Sequence, residues 1–293
     1  MSANDSYPGA SVQKMTDGQP QVRIVVPTRN ESRNLPRLLS SIRSQVGVTY
    51  ELFVVDQESD DDTKQLARDA GATVLNRPRP AFYSPPAESR NLGAESARAP
   101  LLLHLDADMS LPDERFLQRF VALFDAQHQA AIIHEVDIAE GFWNRVKAAE
   151  RACYWNTGIE CARGVTNDLF KAVGGYNAAV SSGEDMQIHR LYTQHTKVAK
   201  SDDVWVEHRT GRLSLQRLLT KKYNYGKTAS AFLEHSQSTG GYSATGWVKE
   251  ALLAYVTHPK VAVLNPLAFS CILPLRIAEL VAVRLGMLHA GRQ

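Results

Sequence analysis

From residue 22 onward, short β-rich apolar runs alternate with stretches of helical periodicity. Residues 22–26 read as a strand closed by Pro27. Leu35, Leu38, Leu39 and Ile42 then fall at i, i+3, i+4 and i+7, which predicts an amphipathic helix over 33–45. A second strand over 52–55 ends at Asp56. A short helix over 60–70, with Ser59 or Asp60 as its N-cap, stops at Gly71. A third strand spans 73–75, a four-proline loop 77–86, and a helix 88–98. The apolar run 101–105 reads as a buried parallel strand, 112–127 as a helix begun by proline, and 130–136 as a further strand.

Strand, helix, strand with short links argues for an α/β fold with a mostly parallel central sheet flanked by helices. In such sheets a ligand sits beyond the carboxyl ends of the strands. Asp56, the pair Asp106 and Asp108, and the segment Pro27-Thr-Arg-Asn-Glu31 all follow strands, so they are expected at one edge of the sheet. Further on, 204–208 is strand-like and 211–226 is basic and helical. The tail over 261–288 is mostly apolar. Its longest uncharged window, 261–275, contains Asn265, Pro266 and Pro274 and falls short of the roughly 18 residues that span a bilayer. From Pro274 it reads as a helix with a narrow polar stripe of Arg276, Glu279 and Arg284.

Composition narrows the classes. The chain has 293 residues, 44% hydrophobic and 22% charged, which is ordinary globular usage. With 33 basic and 31 acidic side chains the net charge is +2, which argues against nucleic acid as the partner. Three scattered cysteines exclude a disulfide framework and a Cys-rich zinc site, and suit a reducing compartment. Residues 1–20 are polar, read as a disordered leader, and carry no secretory signal, so a cytoplasmic location is expected.

Several side chains could carry chemistry. Asp106-Ala-Asp108 at a strand end offers two hard oxygen ligands on one side of an extended segment, suited to Mg²⁺ or Mn²⁺. Such an ion could neutralise a diphosphate leaving group. Asp56 could accept hydrogen bonds from a base or ribose, and Arg90 could pair with phosphates. Each has a plainer reading: a solvated turn for Asp106 and Asp108, acids decorating a helix start for the residues after Asp56, a surface arginine for Arg90. Glu184 and Asp185 likewise suit a helix N-terminus or a catalytic acid pair. His208, at a strand end, is a candidate metal ligand or a structural histidine. Lys221, Lys222 and Tyr223 could meet a diphosphate or an anionic acceptor, or form a solvated basic face. Trp143, Tyr154 and Trp155 could stack on an acceptor or belong to the core.

The order Val25-Val-Pro-Thr-Arg-Asn-Glu31, Val54-Val-Asp56, Ser89-Arg-Asn-Leu-Gly93, Leu105-Asp-Ala-Asp108, Phe170-Lys-Ala-Val-Gly-Gly-Tyr-Asn177 and Gly183-Glu-Asp185 resembles glycosyltransferase family 2. The resemblance covers about residues 22–235. It implies the GT-A fold and inverting transfer of a sugar from a nucleotide-diphosphate donor. Residue by residue, it places Pro27, Arg29 and Glu31 in the first nucleotide-contacting loop, where Thr28 replaces a more usual aromatic. It gives Asp56 to the base or ribose, Arg90 to the phosphates, and Asp106 to ribose and metal. Asp108 becomes the direct metal ligand, with His208 a weaker one, and Asp185, beside Glu184, the general base. The chain then divides into a nucleotide-binding half over 21–108, an acceptor half over 109–235 and a helical apolar extension over 236–293. Inversion is a single displacement and needs one base plus charge neutralisation at the leaving group.

Two rivals stay open. A sugar-1-phosphate nucleotidyltransferase would want a glycine-rich loop after the first strand, and a silent nucleotide-sugar-binding protein would need no acid pair. The acceptor is expected to be a glycan or a lipid-linked molecule. The tail over 261–288 then has three readings: a flap packed on the catalytic domain, a homodimer contact, or a peripheral contact with the inner membrane face that presents the acceptor.

Overall fold

The computed structural model describes residues 19–79, 86–155, 157, 159–178, 183–238 and 244–290. The expected leader, apart from residues 19 and 20, lies outside the described residues, as does most of the proline-rich loop.

The first half alternates as the pattern predicts: β1 (Val22–Thr28), α1 (Leu35–Arg43), β2 (Tyr50–Asp56), α2 (Thr63–Asp69), β3 (Thr73–Asn76), α3 (Ala87–Ala94), β4 (Leu101–His104) and the short β5 (Met109–Ser110). Then come α4 (Phe116–Val121), β6 (His128–Ile132), β7 (His134–Asp137), α5 (Phe142–Tyr154), β8 (Ala162–Thr166), α6 (Asn167–Ala172), α7 (Glu184–His195), β9 (Lys197–Ala199) and β10 (Trp205–His208). The C-terminal unit is helical: α8 (Leu215–Ser238), α9 (Ala244–Thr257), α10 (Pro259–Leu264), α11 (Pro266–Ser270) and α12 (Ile272–Ala290). Helix α8 runs unbroken past residue 235.

Seven strands form one sheet in the order β3-β2-β1-β4-β8-β6-β9. All neighbours are parallel except β8, which runs antiparallel to both β4 and β6. A second sheet, β5-β10-β7, stands beside it. The central strands are apolar on both faces because helices cover both. Ile24, Val26, Leu103 and Leu105 pack with Leu35, Leu38 and Ile42 of α1, while Leu102 packs on the other side with Val165, Phe170 and Tyr192. Helix α3 lies hard against the sheet at Gly93, where a Cβ would come within 2.3 Å of a Val25 methyl.

Four expectations need correction. The helix over 112–127 is limited to α4, six residues. The helix over 88–98 ends at Ala94. The strand over 130–136 is two strands in different sheets, because the β6–β8 register shifts between Ala131 and Ile132 and the chain then leaves for the smaller sheet. Finally, the two prolines in the tail do not shorten it. Pro266 opens α11 and Pro274 sits in the first turn of α12, where a missing N–H costs nothing. By length and composition residues 266–290 are consequently long and apolar enough to cross a membrane, with a mean hydropathy of 1.7 over an 18-residue window.

A third apolar cluster joins this unit to the rest, with Val146 and Ala149 of α5 against Leu218, Ala268, Ile272 and Leu275. Helices α8 and α12 run antiparallel and touch through backbone. A Cβ on Gly226 would lie 2.1 Å from the Val283 carbonyl, and one on Gly286 would lie 2.1 Å from that of Tyr223.

Candidate functional site

The carboxyl ends of β1, β2 and β4 do converge. Thr28 pairs with Asp56 across β1 and β2. Asp56 is fully buried: its carboxylate accepts from Thr28 Oγ1 at 3.0 Å, Ser59 Oγ at 2.5 Å and the Ser59 amide at 2.8 Å. Ser59 therefore closes the turn after β2. The acid at the α2 start is Asp61, which accepts from the Thr63 amide. The loop after β1 is zipped to this turn. Asn30, in the left-handed region at φ 55°, accepts from the Asp60 amide, and the Asn30 amide donates to Ser59. Arg29 is exposed and Pro27 half-buried at this edge. Burial raises the Glu31 pKa, Asn34 opposes the rise, and Asp108, Asp61 and Asp106 add to it, so Glu31 faces the acidic turn.

Asp106-Ala-Asp108 lies in a turn between β4 and β5, with the Met109 amide donating to the Asp106 carbonyl at 3.1 Å. The two carboxylates consequently part, contrary to the extended arrangement expected. Asp106 is held by Arg90 at 2.9 Å and Arg163 at 3.1 Å. Burial would raise its pKa, but Arg163 and Arg90 outweigh that and hold it well below the carboxylate range. Asp108 faces His208, whose Nε2 lies 3.3 Å away.

The smaller sheet makes that meeting. His208 is aligned with Met109 on β5 and with Asp137 on β7. Its Nδ1 is 3.0 Å from Asp137 and 3.4 Å from Glu135. Burial would lower the His208 pKa, but hydrogen bonds to Asp108 and Asp137 and the charge of Glu135 lift it to about 10. Arg151 of α5 closes the ladder, 2.5 Å from Glu135 and 3.0 Å from Asp137, while Arg163 sits 2.5 Å from Glu135. Alternating charges thus link Asp106 to Asp108 through β7, β8 and β10.

On its other side Arg90 reaches Glu184, the first residue of α7, at 3.3 Å. Burial raises the Glu184 pKa, helped by Asp185 and opposed by Arg90. The Arg90 guanidinium also lies over the Tyr176 ring, 5.3 Å from its centroid. Asn91 fixes that ring by exchanging two 2.8 Å hydrogen bonds with the Tyr176 backbone. Between Tyr176 and Phe170 sits fully buried His104, kept neutral by burial and by Arg90 and Arg163, with its pKa lowered to about 3.

A cavity of about 250 Å³ opens beside this network, lined among others by Asp185, Arg90, Arg163, Glu135, Glu150 and Arg276. Asp185 is exposed there, whereas Glu184 is buried. The far wall comes from α5, through Lys147, Glu150, Arg151 and Tyr154, with Arg276 of α12 added from the C-terminal unit. Glu150, 2% exposed, accepts from Tyr154 at 2.9 Å and Tyr255 at 3.0 Å and pairs with Lys147 and Arg276. Arg276 also bonds Glu279 at 2.6 Å.

The remaining expected residues divide. Lys221 lies close enough to Asp108 to feel its charge. Burial lowers the Lys222 pKa to about 8, against the pull of Glu279. Tyr223 packs its ring near His289 on α12. The three aromatics do not share a surface: Trp143 joins the apolar cluster of α5, Tyr154 joins the Glu150 group, and Trp155 stacks on His134 at 3.8 Å. Reasoning from sequence missed Glu135, Asp137, Arg151, Arg163, Glu150 and Arg276.

The donor set fits a divalent ion. Asp108 and His208 bring one carboxylate and one imidazole nitrogen together at 3.3 Å, donor types that suit a divalent ion. Among the described residues no three His, Cys, Asp or Glu side chains form a cage. Two protein ligands leave positions for phosphate oxygens and water, the habit of Mg²⁺ and related ions.

Comparison with known proteins gives the family and the fold. The profile of glycosyl transferase family 2 matches residues 23–213. The 4,4'-diaponeurosporenoate glycosyltransferase of Staphylococcus haemolyticus is 30% identical over 115 residues, 38% of this chain and 30% of that one. The undecaprenyl-phosphate 4-deoxy-4-formamido-L-arabinose transferase of Aeromonas hydrophila is 35% identical over 104 residues, 32% of this chain and 30% of that one. Each match thus spans about a third of its relative's own length. The mannosyltransferase PcManGT from Pyrobaculum calidifontis, solved with GDP-Man and Mn²⁺, superposes with a TM-score of 0.61 at 19% identity, covering 92% of this chain and 87% of that one.

Proposed function

The chain belongs to glycosyl transferase family 2, and from that premise we propose that it transfers a sugar from a nucleoside-diphosphate donor to an acceptor hydroxyl with inversion. It is a GT-A glycosyltransferase. The finer reading rests on one observation: Arg90 bridges Asp106 of the donor turn and Glu184 of the acid pair, which puts Asp185 at the cavity beside them.

In this reading the donor nucleotide occupies the edge formed by Pro27, Arg29, Glu31 and Asp56. Asp106 is fixed by two arginines so that its carboxylate stays charged and correctly turned. Arg90 stands where a diphosphate can meet a cation. Asp108 and His208 would hold Mg²⁺ or Mn²⁺, which when bound supplies charge neutralisation to the departing diphosphate. Asp185 takes the proton of the acceptor hydroxyl as its oxygen attacks the anomeric carbon. Buried, arginine-paired Glu184 fixes the start of α7 and hence the position of Asp185. Lys221 and Lys222, on a helix that passes the site, suit an anionic group on donor or acceptor.

The acceptor reading is a lipid-linked molecule reached through peripheral contact of the tail with a membrane. The apolar tail supports it, and so does the undecaprenyl-phosphate named for one relative. The test is thermal stabilisation by UDP-, GDP- and dTDP-sugars with and without Mn²⁺, followed by donor hydrolysis. At least one donor should stabilise the protein and do so better with Mn²⁺. No response to any donor would overturn the reading.

A further inference from the structure

We infer that the outer face of α12 lies in the plane of an anionic lipid leaflet, which puts the transfer cavity one helix away from the bilayer. The inference rests on the transferase reading only for the role of the cavity. The surface stands on four observations of its own.

The first is inverted polarity. Leu273, Ile277, Leu280, Val281, Leu285 and Leu288 fall on one face of α12 and are all exposed. The opposite face carries Glu279, which is 3% exposed, beside Leu280, which is 60% exposed. A helix on a protein facing water does the reverse, and apolar exposure on this scale marks a docking surface. It continues outside α12, at Val256, Val263 and Leu264, each more than three-quarters exposed.

The second is charge. From residue 251 to the end there is one acidic residue, Glu279, and it is buried; the basic residues are Lys260, Arg276, Arg284 and Arg292. Lys260 and Arg284 are exposed. A second copy of the chain would bring like charges together on this face. Arg284 lies among the apolar side chains of this face and Lys260 outside α12, and a leaflet with anionic headgroups satisfies both the apolar side chains and these cations.

The third decides the orientation. By length and composition residues 266–290 could cross a bilayer. Crossing would pull Arg276 and Glu279 away from Glu150 and Lys147, leaving charges in hydrocarbon. It would also part α12 from α8, with which it shares the Gly226–Gly286 backbone contact, or else carry Lys221, Lys222 and Lys227 inward with it. The helix therefore lies in the interface with its polar side docked on α5.

The fourth is thickness. The inner side of α12 supplies Arg276 to the cavity that Asp185 borders. A helix with its side chains is about 10 Å across. An acceptor with an apolar anchor can thus leave the anchor in the leaflet and present its polar end at Asp185.

The experiment is flotation of the 293-residue chain with vesicles of phosphatidylcholine alone or with phosphatidylglycerol. The expected result is strong flotation with phosphatidylglycerol, weakened by salt, and loss of at least about tenfold in binding in the double variant Leu280→Glu, Val281→Glu. That variant should keep the wild-type response to nucleotide-sugars, since neither residue touches the site. Absence of flotation in a chain that still responds to a nucleotide-sugar overturns the membrane face and leaves the transferase reading standing. Dimers in light scattering that the double variant converts to monomers would assign the face to a second copy instead. Equal flotation on neutral vesicles overturns the anionic requirement. A tag after residue 293 should remain open to protease added outside sealed vesicles; protection of the tag would mean that α12 spans.

Discussion

His208 Nε2 faces the Asp108 carboxylate at 3.3 Å, and the other ring nitrogen of His208 lies 3.0 Å from Asp137. A carboxylate behind an imidazole fixes the ring's tautomer and direction, and losing such a partner typically costs 10–100-fold in metal affinity. Asp137→Asn should therefore weaken Mn²⁺ binding by about that factor, read by electron paramagnetic resonance on the donor-free protein. The asparagine keeps the shape of the site, so the melting temperature serves as the control for folding. Unchanged Mn²⁺ affinity would remove Asp137 from this role.

The same contacts predict a pH dependence. The His208 pKa rises from its ordinary 6.5 to about 10 in the folded chain. Its charged form therefore contributes stability that is fully present below about pH 6.5 and is lost as pH rises through about 10. A metal needs the neutral ring, so binding must displace that proton. Mn²⁺ affinity should climb between about pH 7 and pH 9, with up to one proton released per ion. Calorimetry in buffers of different ionisation heat would count it, and binding without proton release would contradict the assignment.

Arg90 serves two carboxylates at once, at 2.9 Å and 3.3 Å. Arg90→Met keeps the length of the side chain but leaves Asp106 facing Glu184 without a shared cation. Breaking a buried pair in this way costs about 3–5 kcal/mol. Denaturant unfolding should register a loss of that order, and kcat/KM should fall by at least about 100-fold. Lysine offers one point charge where the guanidinium spans two partners, so Arg90→Lys should rescue little.

Glu150 is the acceptor on which α5, α9 and α12 meet. Glu150→Gln leaves Lys147 and Arg276 with Glu279 as their remaining neighbour, and stability should drop by several kcal/mol, about 3 by analogy with other buried pairs. The double variant Glu150→Gln, Arg276→Met should recover part of that loss, because it removes the stranded cation as well. Strict additivity of the two single changes would show that the residues do not act as a pair.

What the chain discloses in advance depends on sequence distance. Strand ends and short motifs are local signals, so the cluster of Asp56, Asp106 and the Glu31 loop is legible before folding, as are β1, α1 and β2 to within a few residues. The turn at Asp106-Ala-Asp108 is not, because it depends on β5 leaving for a second sheet to pair with β10, about 100 residues later. Asp137, Arg151 and Arg163 belong to no short motif and acquire their roles through neighbours far along the chain. Glu150 meets Arg276 across 126 positions. Only the narrow polar stripe on an apolar helix hinted at that contact, and of that stripe Arg276 and Glu279 face inward whereas Arg284 is exposed. Alternation alone could not tell that residues 130–136 serve two sheets, since a register shift leaves no mark in the hydrophobic pattern.

The central claim is that Asp185 is the base of a transfer whose donor is held by other residues. Asp185→Asn tests it directly, through donor affinity and transfer rate measured on the same preparation. The account predicts a nucleotide-sugar Kd within about threefold of wild type and a kcat lowered by 10²–10⁴, the usual contribution of general base catalysis. Transfer at the wild-type rate, or donor binding lost along with transfer, would contradict it.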